Sequence, residues 1–137
     1  MINKEIIKLA SDTSNVGLKN KYSHKISLKN STCGDKITLE LIADKKKICS
    51  MKYVTVSCVY CEASASLLSK KIKDIKLKDI KNDFKNLKKI SMIKNGKFPK
   101  KLSDFKKLLN SDNFNRFKCV FLPIDAVLKA LKLWEKY

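Results

Sequence analysis

The sequence predicts an α+β fold in which a three-stranded antiparallel sheet packs against helices. Three segments between residues 24 and 57 alternate apolar and polar side chains, which is the period of a strand with one buried face. The connections between them are short and polar, so consecutive strands should pair as an antiparallel meander. From residue 59 onward the apolar residues recur at helical spacing instead. The 137 residues contain no Pro-, Gly- or Ser-rich linker, which predicts one domain spanning 1–137.

The first half of the chain should contain one short helix and the sheet. Residues 3–10 carry their apolar side chains mainly on one side of a helix, and residues 11–20 have the composition of a loop. The three strands are predicted at 24–29, 36–43 and 48–57. In the second strand, alternation places Ile37, Leu39 and Leu41 on one face and Thr38, Glu40 and Ile42 on the other.

The second half should be helical. Residues 59–72 form a helix with one side made of Ala and Ser, which allows close packing against the sheet. Two more helices are predicted from the apolar sets Leu77, Ile80, Phe84, Leu87 and Leu102, Phe105, Leu108, Leu109. The last helix should have Pro123 in its first turn and an apolar stripe of Ile124, Val127, Leu128, Leu131 and Trp134. The aromatic residues interpreted as core are Phe84, Phe105, Phe114 and Trp134.

The net charge of +18 would ordinarily suggest a nucleic-acid or anionic partner. However, Arg116 is the only arginine among the 31 basic residues, and the lysines are scattered over every segment. Bidentate recognition of phosphates and bases prefers arginine. A solvated, lysine-rich surface therefore explains the charge better than nucleic-acid binding does.

Five cysteines, an odd number, argue against a disulfide framework. The first ten residues include Lys4, Glu5 and Lys8 and so do not resemble a secretory signal, and no stretch approaches the ~20 apolar residues of a membrane span. We therefore expect a cytoplasmic protein with reduced thiols and no membrane association.

Cys58 lies at the junction between the last strand and the first long helix. At a helix N-terminus, backbone N–H groups and the helix dipole favour a thiolate, which is either a metal ligand or a nucleophile. The alternative is that Cys58 and the nearby Cys61 are buried small hydrophobic residues, the usual fate of free cysteines.

Three short strings in the sequence could meet at one edge of the sheet. They are Cys33-Gly34-Asp35 in the first hairpin turn, Cys58, and Arg116-Phe117-Lys118-Cys119 just before the last helix. Three thiolates and one carboxylate make a complete tetrahedral set for Zn²⁺. The spacing matches no zinc-finger pattern, so these residues suggest a metal site without establishing one.

These strings resemble the motifs of the SufU/IscU/NifU-N-terminal family of iron–sulfur cluster assembly proteins. The resemblance rests on Cys33-Gly34-Asp35, the Cys58–Ser66 string that ends in Ala-Ser-Ala-Ser, and Arg116-x-Lys118-Cys119, in the family's order. It covers nearly the whole chain. The long interval from Cys58 to Cys119 and the lysine before Cys119 resemble the SufU branch, since scaffold-type IscU proteins have a histidine there.

The resemblance implies a metal site formed by Cys33, Asp35, Cys58 and Cys119. In a SufU-type protein this site holds Zn²⁺, and the protein accepts sulfur as a persulfide from a PLP-dependent, SufS-like cysteine desulfurase. This implies a sulfurtransferase role with Cys33 as the candidate acceptor and Cys119 as the runner-up, acting with other Suf assembly proteins or apo-acceptors.

Two alternatives remain open at this point. The first is an IscU-type scaffold that assembles a [2Fe–2S] cluster on the same four ligands and hands it on, so that iron replaces zinc. The second, more remote, is a basic nucleic-acid-binding module with a structural zinc.

Several residues depart from the family pattern. Thr55 and Ser57 stand where the family usually has glycine, so the backbone before Cys58 is in question. Cys61, where the family commonly has serine, is interpreted as a small core residue rather than a spare ligand or sulfur relay. Arg116 and Lys118 either offset the charge of the site or are solvated surface residues.

Overall fold

The computed structural model describes residues 3–31, 33–93 and 96–133, and it confirms the predicted α+β class. One three-stranded antiparallel sheet has the order β1-β2-β3. The strands are β1 (His24–Lys29), β2 (Lys36–Ala43) and β3 (Ile48–Val56). The first two have the predicted bounds, and β3 ends one residue before its predicted end.

The described residues also form four α-helices. They are α1 (Lys4–Ser11), α2 (Val59–Lys71), α3 (Leu77–Ser91) and α4 (Phe117–Ala130). Three 3₁₀ segments connect or precede them, at Ile72–Asp74, Lys100–Lys107 and Ser111–Arg116.

Helix α2 lies at the centre of the molecule, between the sheet, α1 and α4. Within the sheet, α2 packs against β3, whereas α4 packs against β1 and β2. On the predicted core face of β2, Ile37, Leu39 and Leu41 are fully buried. The small side chains from Ala63 to Ser66 are all buried, so helix backbones can approach α2 closely. The Ser64 hydroxyl donates a hydrogen bond to the backbone carbonyl of Val120 over 2.5 Å, which fixes α2 against the first half of α4.

The outer face of the sheet is covered in part by the loop of residues 12–23. This loop pairs with the outer edge of β3, since the Gly17 N–H donates to the Tyr53 carbonyl over 2.8 Å. It then crosses to Glu40, whose Oε1 accepts hydrogen bonds from the Lys19 N–H (2.8 Å) and the Asn20 N–H (3.1 Å). Glu40 is only 1% exposed, and the Nζ of Lys25 lies 3.7 Å from its other oxygen. The carboxylate therefore fastens the loop to the sheet.

The predicted third helix is a 3₁₀ segment rather than an α-helix. Its apolar residues are buried as predicted, but Leu102, Phe105 and Leu108 recur at intervals of three. A 3₁₀ helix has three residues per turn, so this spacing aligns the three side chains better than an α-helix would. Leu102 itself has non-helical dihedrals (φ −115°, ψ 15°).

The last helix begins at Phe117, earlier than the sequence predicts, since residues 116–119 should precede it and Pro123 should lie in its first turn. The buried side chains of Phe117 and Val120 extend the apolar face of α4 toward its N-terminus. Their burial outweighs the loss of the one backbone hydrogen bond that an internal proline cannot donate. Cys119, predicted to lie just before this helix, is therefore in its first turn.

The prediction that Phe114 belongs to the core is wrong, because its side chain is 57% exposed. It lies in the 3₁₀ segment that precedes α4, where it packs against Phe117 with ring centroids 5.2 Å apart. Trp134, predicted to continue the stripe of the last helix, lies outside the described residues. Within the described ranges, no helix has both the length and the apolar character needed to span a membrane.

The attachment at Glu40 generates a prediction about stability. Glu40→Ala should lower the free energy of unfolding by roughly 2–4 kcal/mol, because it leaves the Lys19 and Asn20 N–H groups without their acceptor. Glu40→Gln keeps an acceptor oxygen and should cost clearly less. Urea denaturation followed by circular dichroism measures both, with the exposed Glu5→Ala as the matched control. Equal stability of Glu40→Ala and Glu5→Ala would contradict the role of this carboxylate.

Candidate metal centre

The predicted site residues lie at one end of the sheet because of the strand register. Lys36, the first residue of β2, pairs with Lys29 at the end of β1 and with Val56 at the end of β3. The turn before β2 and the connection from β3 to α2 therefore leave the sheet side by side. Cys33 and Asp35 lie in the first of these connections, and Cys58 ends the second.

The turn that carries Cys33 is closed by two backbone hydrogen bonds. The Gly34 N–H donates to the Asn30 carbonyl over 2.8 Å, and the Asn30 N–H donates to the Asp35 carbonyl over 2.7 Å. Gly34 has φ +77°, a conformation that glycine adopts without steric cost. Cys33 is exposed at the tip of this turn.

Asp35 and Cys58 are joined by two hydrogen bonds. The backbone N–H of Cys58 donates to Oδ1 of Asp35 over 3.1 Å, and the Cys58 thiol donates to Oδ2 over 3.3 Å. Cys58 is the N-cap residue of α2, as the sequence predicted. The buried carboxylate of Asp35 therefore lies at the positive end of the α2 dipole, where a negative charge is stabilised.

Cys119 completes the group from the first turn of α4. Its Sγ lies 3.7 Å from the Sγ of Cys33, and its side chain is only 3% exposed. The ligand atoms of Cys33, Asp35 and Cys119 all lie within 4.8 Å of one another, and Cys58 adjoins this group through Asp35. Three of the four residues predicted from the sequence thus form one group of possible ligands, and Cys58 lies beside that group without belonging to it.

Two of the distances between donor atoms are close to those around a tetrahedral metal ion. Two thiolates bound to one Zn²⁺ at about 2.3 Å are about 3.8 Å apart, close to the 3.7 Å between Cys33 and Cys119. A thiolate and a carboxylate oxygen on the same ion are about 3.6 Å apart, compared with 3.3 Å between Cys58 and Asp35. Three thiols and one carboxylate also match the charge and softness that Zn²⁺ and iron accept.

The pKa values of Asp35 and Cys119 are shifted in opposite directions. Burial opposes ionisation of Asp35, but hydrogen bonds from three cysteine thiols, chiefly that of Cys58, outweigh it and hold the pKa of this carboxyl below its usual value. Burial, together with hydrogen bonding to Asp35, raises the pKa of the Cys119 thiol well above its ordinary value. The metal-free site therefore holds an ionised Asp35 beside a protonated Cys119, and a bound cation would favour loss of that proton.

The two basic residues of the third motif have different surroundings. Both side chains are exposed. The Arg116 guanidinium lies 5.9 Å from the ring centroid of Tyr60, so the residue before α4 contacts the first turn of α2. Tyr60 has no signal in the sequence, because a single tyrosine two residues after a cysteine forms no distinctive pattern. Lys118 borders a surface pocket with Leu28 and Phe121.

The backbone before Cys58 does not require glycine. Among the described residues, φ is positive only at Gly17, Asn20, Gly34 and Lys132. Thr55 and Ser57 therefore occupy ordinary conformations, and the Thr55 hydroxyl lies within hydrogen-bond distance of Glu62 (3.4 Å). The doubt raised by the missing glycines does not apply to this chain.

Cys61 and Cys49 lie outside the group. Cys61 is fully buried in α2, and burial raises the pKa of its thiol to about 12, which agrees with a small core residue. Cys49 is exposed on β3, with its sulfur 3.7 Å from an Asp44 oxygen.

The chain matches one protein family in sequence and resembles two solved structures. The model of the family described as NifU-like N terminal domain matches residues 1–133. A NifU-like protein (N-terminal) from Brucella abortus has a similar structure, with TM-score 0.83 and 17% identity, covering 96% of this chain and 92% of that one. A protein from Fervidobacterium islandicum AW-1, assigned as an iron–sulfur cluster assembly scaffold for the SUF system, gives TM-score 0.84 and 22% identity, covering 95% and 96%. No curated protein matches the sequence.

The unequal burial of the cysteines generates a prediction about reactivity. In the native, metal-free protein at pH 8, iodoacetamide should modify Cys33 and Cys49 at least about a hundredfold faster than Cys61, because a thiol with a pKa of about 12 is almost entirely protonated and this one is also buried. Peptide mass spectrometry over a time course measures the rates, with urea-unfolded protein as the control in which all five react. Fast native labelling of Cys61 would contradict the predicted burial.

Proposed function

Since the chain belongs to the family of NifU-like N-terminal domains, which are iron–sulfur cluster assembly proteins, we propose that it is a zinc-bound sulfur acceptor of the SufU type. The observation that carries this proposal is the group formed by Cys33, Asp35 and Cys119, in which the thiol of Cys33 is exposed. Cys58 adjoins the group through its hydrogen bonds to Asp35. Such a set can hold a metal while leaving one ligand within reach of a partner protein.

The proposed metal ligands are the four residues that the family resemblance implies, and the proximity of Cys33, Asp35 and Cys119 supports three of them. Cys33, Asp35, Cys58 and Cys119 would hold the ion, with Asp35 as the single hard donor among soft ones. A carboxylate binds Zn²⁺ less tightly than a thiolate does, so it keeps the site exchangeable. When bound, Zn²⁺ would keep the cysteines deprotonated and thus supply a thiolate without a general base.

Cys33 is the preferred sulfur acceptor because of its position. It is exposed on a turn whose next residue is glycine, whereas Cys119 is 3% exposed and held in a helix. A persulfide on a partner enzyme can reach Cys33 without rearrangement of the core. Cys119 would require movement of the first turn of α4, so it is the second candidate.

The transfer step is a thiol–disulfide type of exchange. The Cys33 thiolate attacks the terminal sulfur of the persulfide on a cysteine desulfurase, and a new S–S bond forms on Cys33. The original S–S bond breaks, and both of its electrons leave with the desulfurase cysteine as a thiolate. No external oxidant or reductant is needed. The PLP-dependent desulfurase is the upstream partner in this proposal, and further assembly proteins or apo-acceptors receive the sulfur.

A scaffold role is the second candidate function. The same donor set suits a [2Fe–2S] cluster, and the similar protein from Fervidobacterium islandicum AW-1 is assigned as a scaffold. We favour the zinc-bound acceptor because Lys118, rather than a histidine, precedes Cys119. The basic nucleic-acid-binding module has less support, because a structural zinc site is closed, whereas the thiol of Cys33 is exposed.

The ligand assignment leads to a test of metal content. Cys58→Ala should lose the metal, since removing a thiolate from a four-ligand site lowers affinity by at least tenfold to a hundredfold. Cys49→Ala should keep one metal ion per chain, because its sulfur lies outside the group. Elemental analysis of both purified variants, each checked for folding by circular dichroism, gives the result. Equal occupancy in Cys58→Ala and wild type would exclude this site.

The transfer step leads to a second test. After incubation of the zinc-loaded protein with a PLP-dependent cysteine desulfurase and cysteine, one added sulfur should be found on Cys33 by peptide mass spectrometry. Cys49→Ser should accept sulfur as wild type does, and Cys33→Ser should not. If no ligand cysteine gains sulfur, while the iron-loaded protein builds a [2Fe–2S] cluster that it transfers to an apo-ferredoxin, the scaffold role is correct instead.

A further inference from the structure

An apolar groove lies between the end of α3 and the start of α4, apart from the candidate metal centre. We call it the α3–α4 groove. Its apolar lining includes Ile90, Met92, Ile93, Leu109, Phe114 and Phe117. Its volume of about 810 Å³ is within the range of ligand-binding clefts, roughly 300–1,000 Å³.

The walls of this groove expose large apolar side chains to water. Met92 is 63% exposed, and Ile93 and Phe114 are each 57% exposed. Large apolar side chains that are exposed side by side along one groove offer a surface to an apolar partner. Phe114 also stacks against Phe117, so the wall is held in place by an aromatic contact. Packing in the core does not explain why these three residues are apolar, because most of each side chain is exposed to solvent.

The charges around the groove favour a negatively charged occupant. Lys106 is the only charged residue among the described lining residues, and none of them carries a carboxylate. A second depression shares Ile90 and Ile93 with the groove and extends it. The charged residues of that depression are Lys89, Lys97, Lys100 and Lys101 against Asp79 and Asp83. The described lining residues therefore carry a net positive charge in both the groove and the depression.

The arrangement suits a protein segment better than a small molecule. A small-molecule site uses a few convergent polar groups to orient its ligand, whereas the polar side chain of Asn110 in this groove already caps the following 3₁₀ segment. An apolar groove between two helices with a basic border matches the helix-in-groove mode of recognition. We propose that the α3–α4 groove binds an amphipathic helix of a partner protein that presents apolar residues flanked by acidic ones.

The groove would bring that partner close to the candidate metal centre. Phe117, which lines it, is two residues before Cys119 in the first turn of α4. The binding itself depends only on the groove residues, so it can be measured without sulfur transfer.

The test uses a synthetic peptide as the probe. A fluorescein-labelled peptide of about four helical turns carries Leu and Phe at i, i+3, i+4 and i+7 positions and Glu elsewhere. Fluorescence anisotropy with the full zinc-loaded chain should show saturable binding. A peptide with Lys in place of each Glu should bind at least about tenfold more weakly, because the border of the groove is basic.

Matched variants locate the binding. Ile93→Asp should weaken binding by about tenfold or more, whereas Ile7→Asp, a change at a similarly exposed isoleucine on α1 (51% exposed), should not. Lys106→Glu should weaken binding more than Lys107→Glu, which makes the same change of net charge at a neighbouring residue that does not line the groove. All four variants should keep their metal content and their circular dichroism spectra.

The outcomes separate this proposal from the others. Absence of binding by the acidic peptide, or equal binding by wild type and Ile93→Asp, would overturn it whatever the result for sulfur transfer. So would a dimer in light scattering that Phe114→Asp dissociates, since a second copy would then fill the groove. Binding to phosphatidylglycerol vesicles that depends on Ile93, with no peptide binding, would also overturn it in favour of a lipid surface.

Discussion

The close approach of other elements to α2 is the constraint on which the rest of this structure depends. The helix is covered by the sheet, by α1 and by α4, and residues 63–66 are buried with no side chain larger than serine. Larger side chains at these positions would push the sheet, α1 and α4 away from α2 and leave voids between them. The same closeness lets the Ser64 hydroxyl reach a backbone carbonyl of α4. A helix made of small residues thereby determines where two other helices lie.

The packing of α4 against α2 also determines the geometry of the candidate metal centre. Cys58 is at the start of α2, and Cys119 is one residue before the carbonyl that Ser64 contacts. The strand register then places Asp35 beside Cys58, where it accepts hydrogen bonds from both the backbone and the thiol. Cys58 and Cys119 lie at the starts of α2 and α4, and Asp35 directly precedes β2, whereas Cys33 lies at the tip of the turn. The site therefore combines buried side chains, Asp35 and Cys119, with the exposed thiol of Cys33.

Most of the fold could be predicted from the sequence, because period-two alternation and apolar stripes are local signals. The bounds of β1 and β2 were predicted correctly on this basis. The start of α4 was not, because proline is usually found in the first turn and the local sequence does not show that burial of Phe117 and Val120 extends the helix beyond it. Phe114 was assigned to the core from its residue type, yet whether an aromatic side chain is covered depends on elements distant in the sequence. The convergence of Cys33, Asp35, Cys58 and Cys119 followed from a family resemblance, since their spacing alone matches no known metal motif. The contact of Arg116 with Tyr60 had no sequence signal.

Pro123 has a consequence for the mobility of Cys119. In a regular α-helix the N–H of residue 123 would donate to the carbonyl of residue 119, and proline has no N–H to donate. The first turn of α4 is therefore held by one backbone bond fewer than the turns that follow, while Ile124 and Val127 anchor the rest of the helix in the core. Local opening costs least where backbone bonds are fewest. Opening of residues 117–119 is opposed by the burial of Phe117 and Val120 and by the hydrogen bond from Ser64. Side-chain packing, more than the backbone ladder, therefore keeps Cys119 in its place.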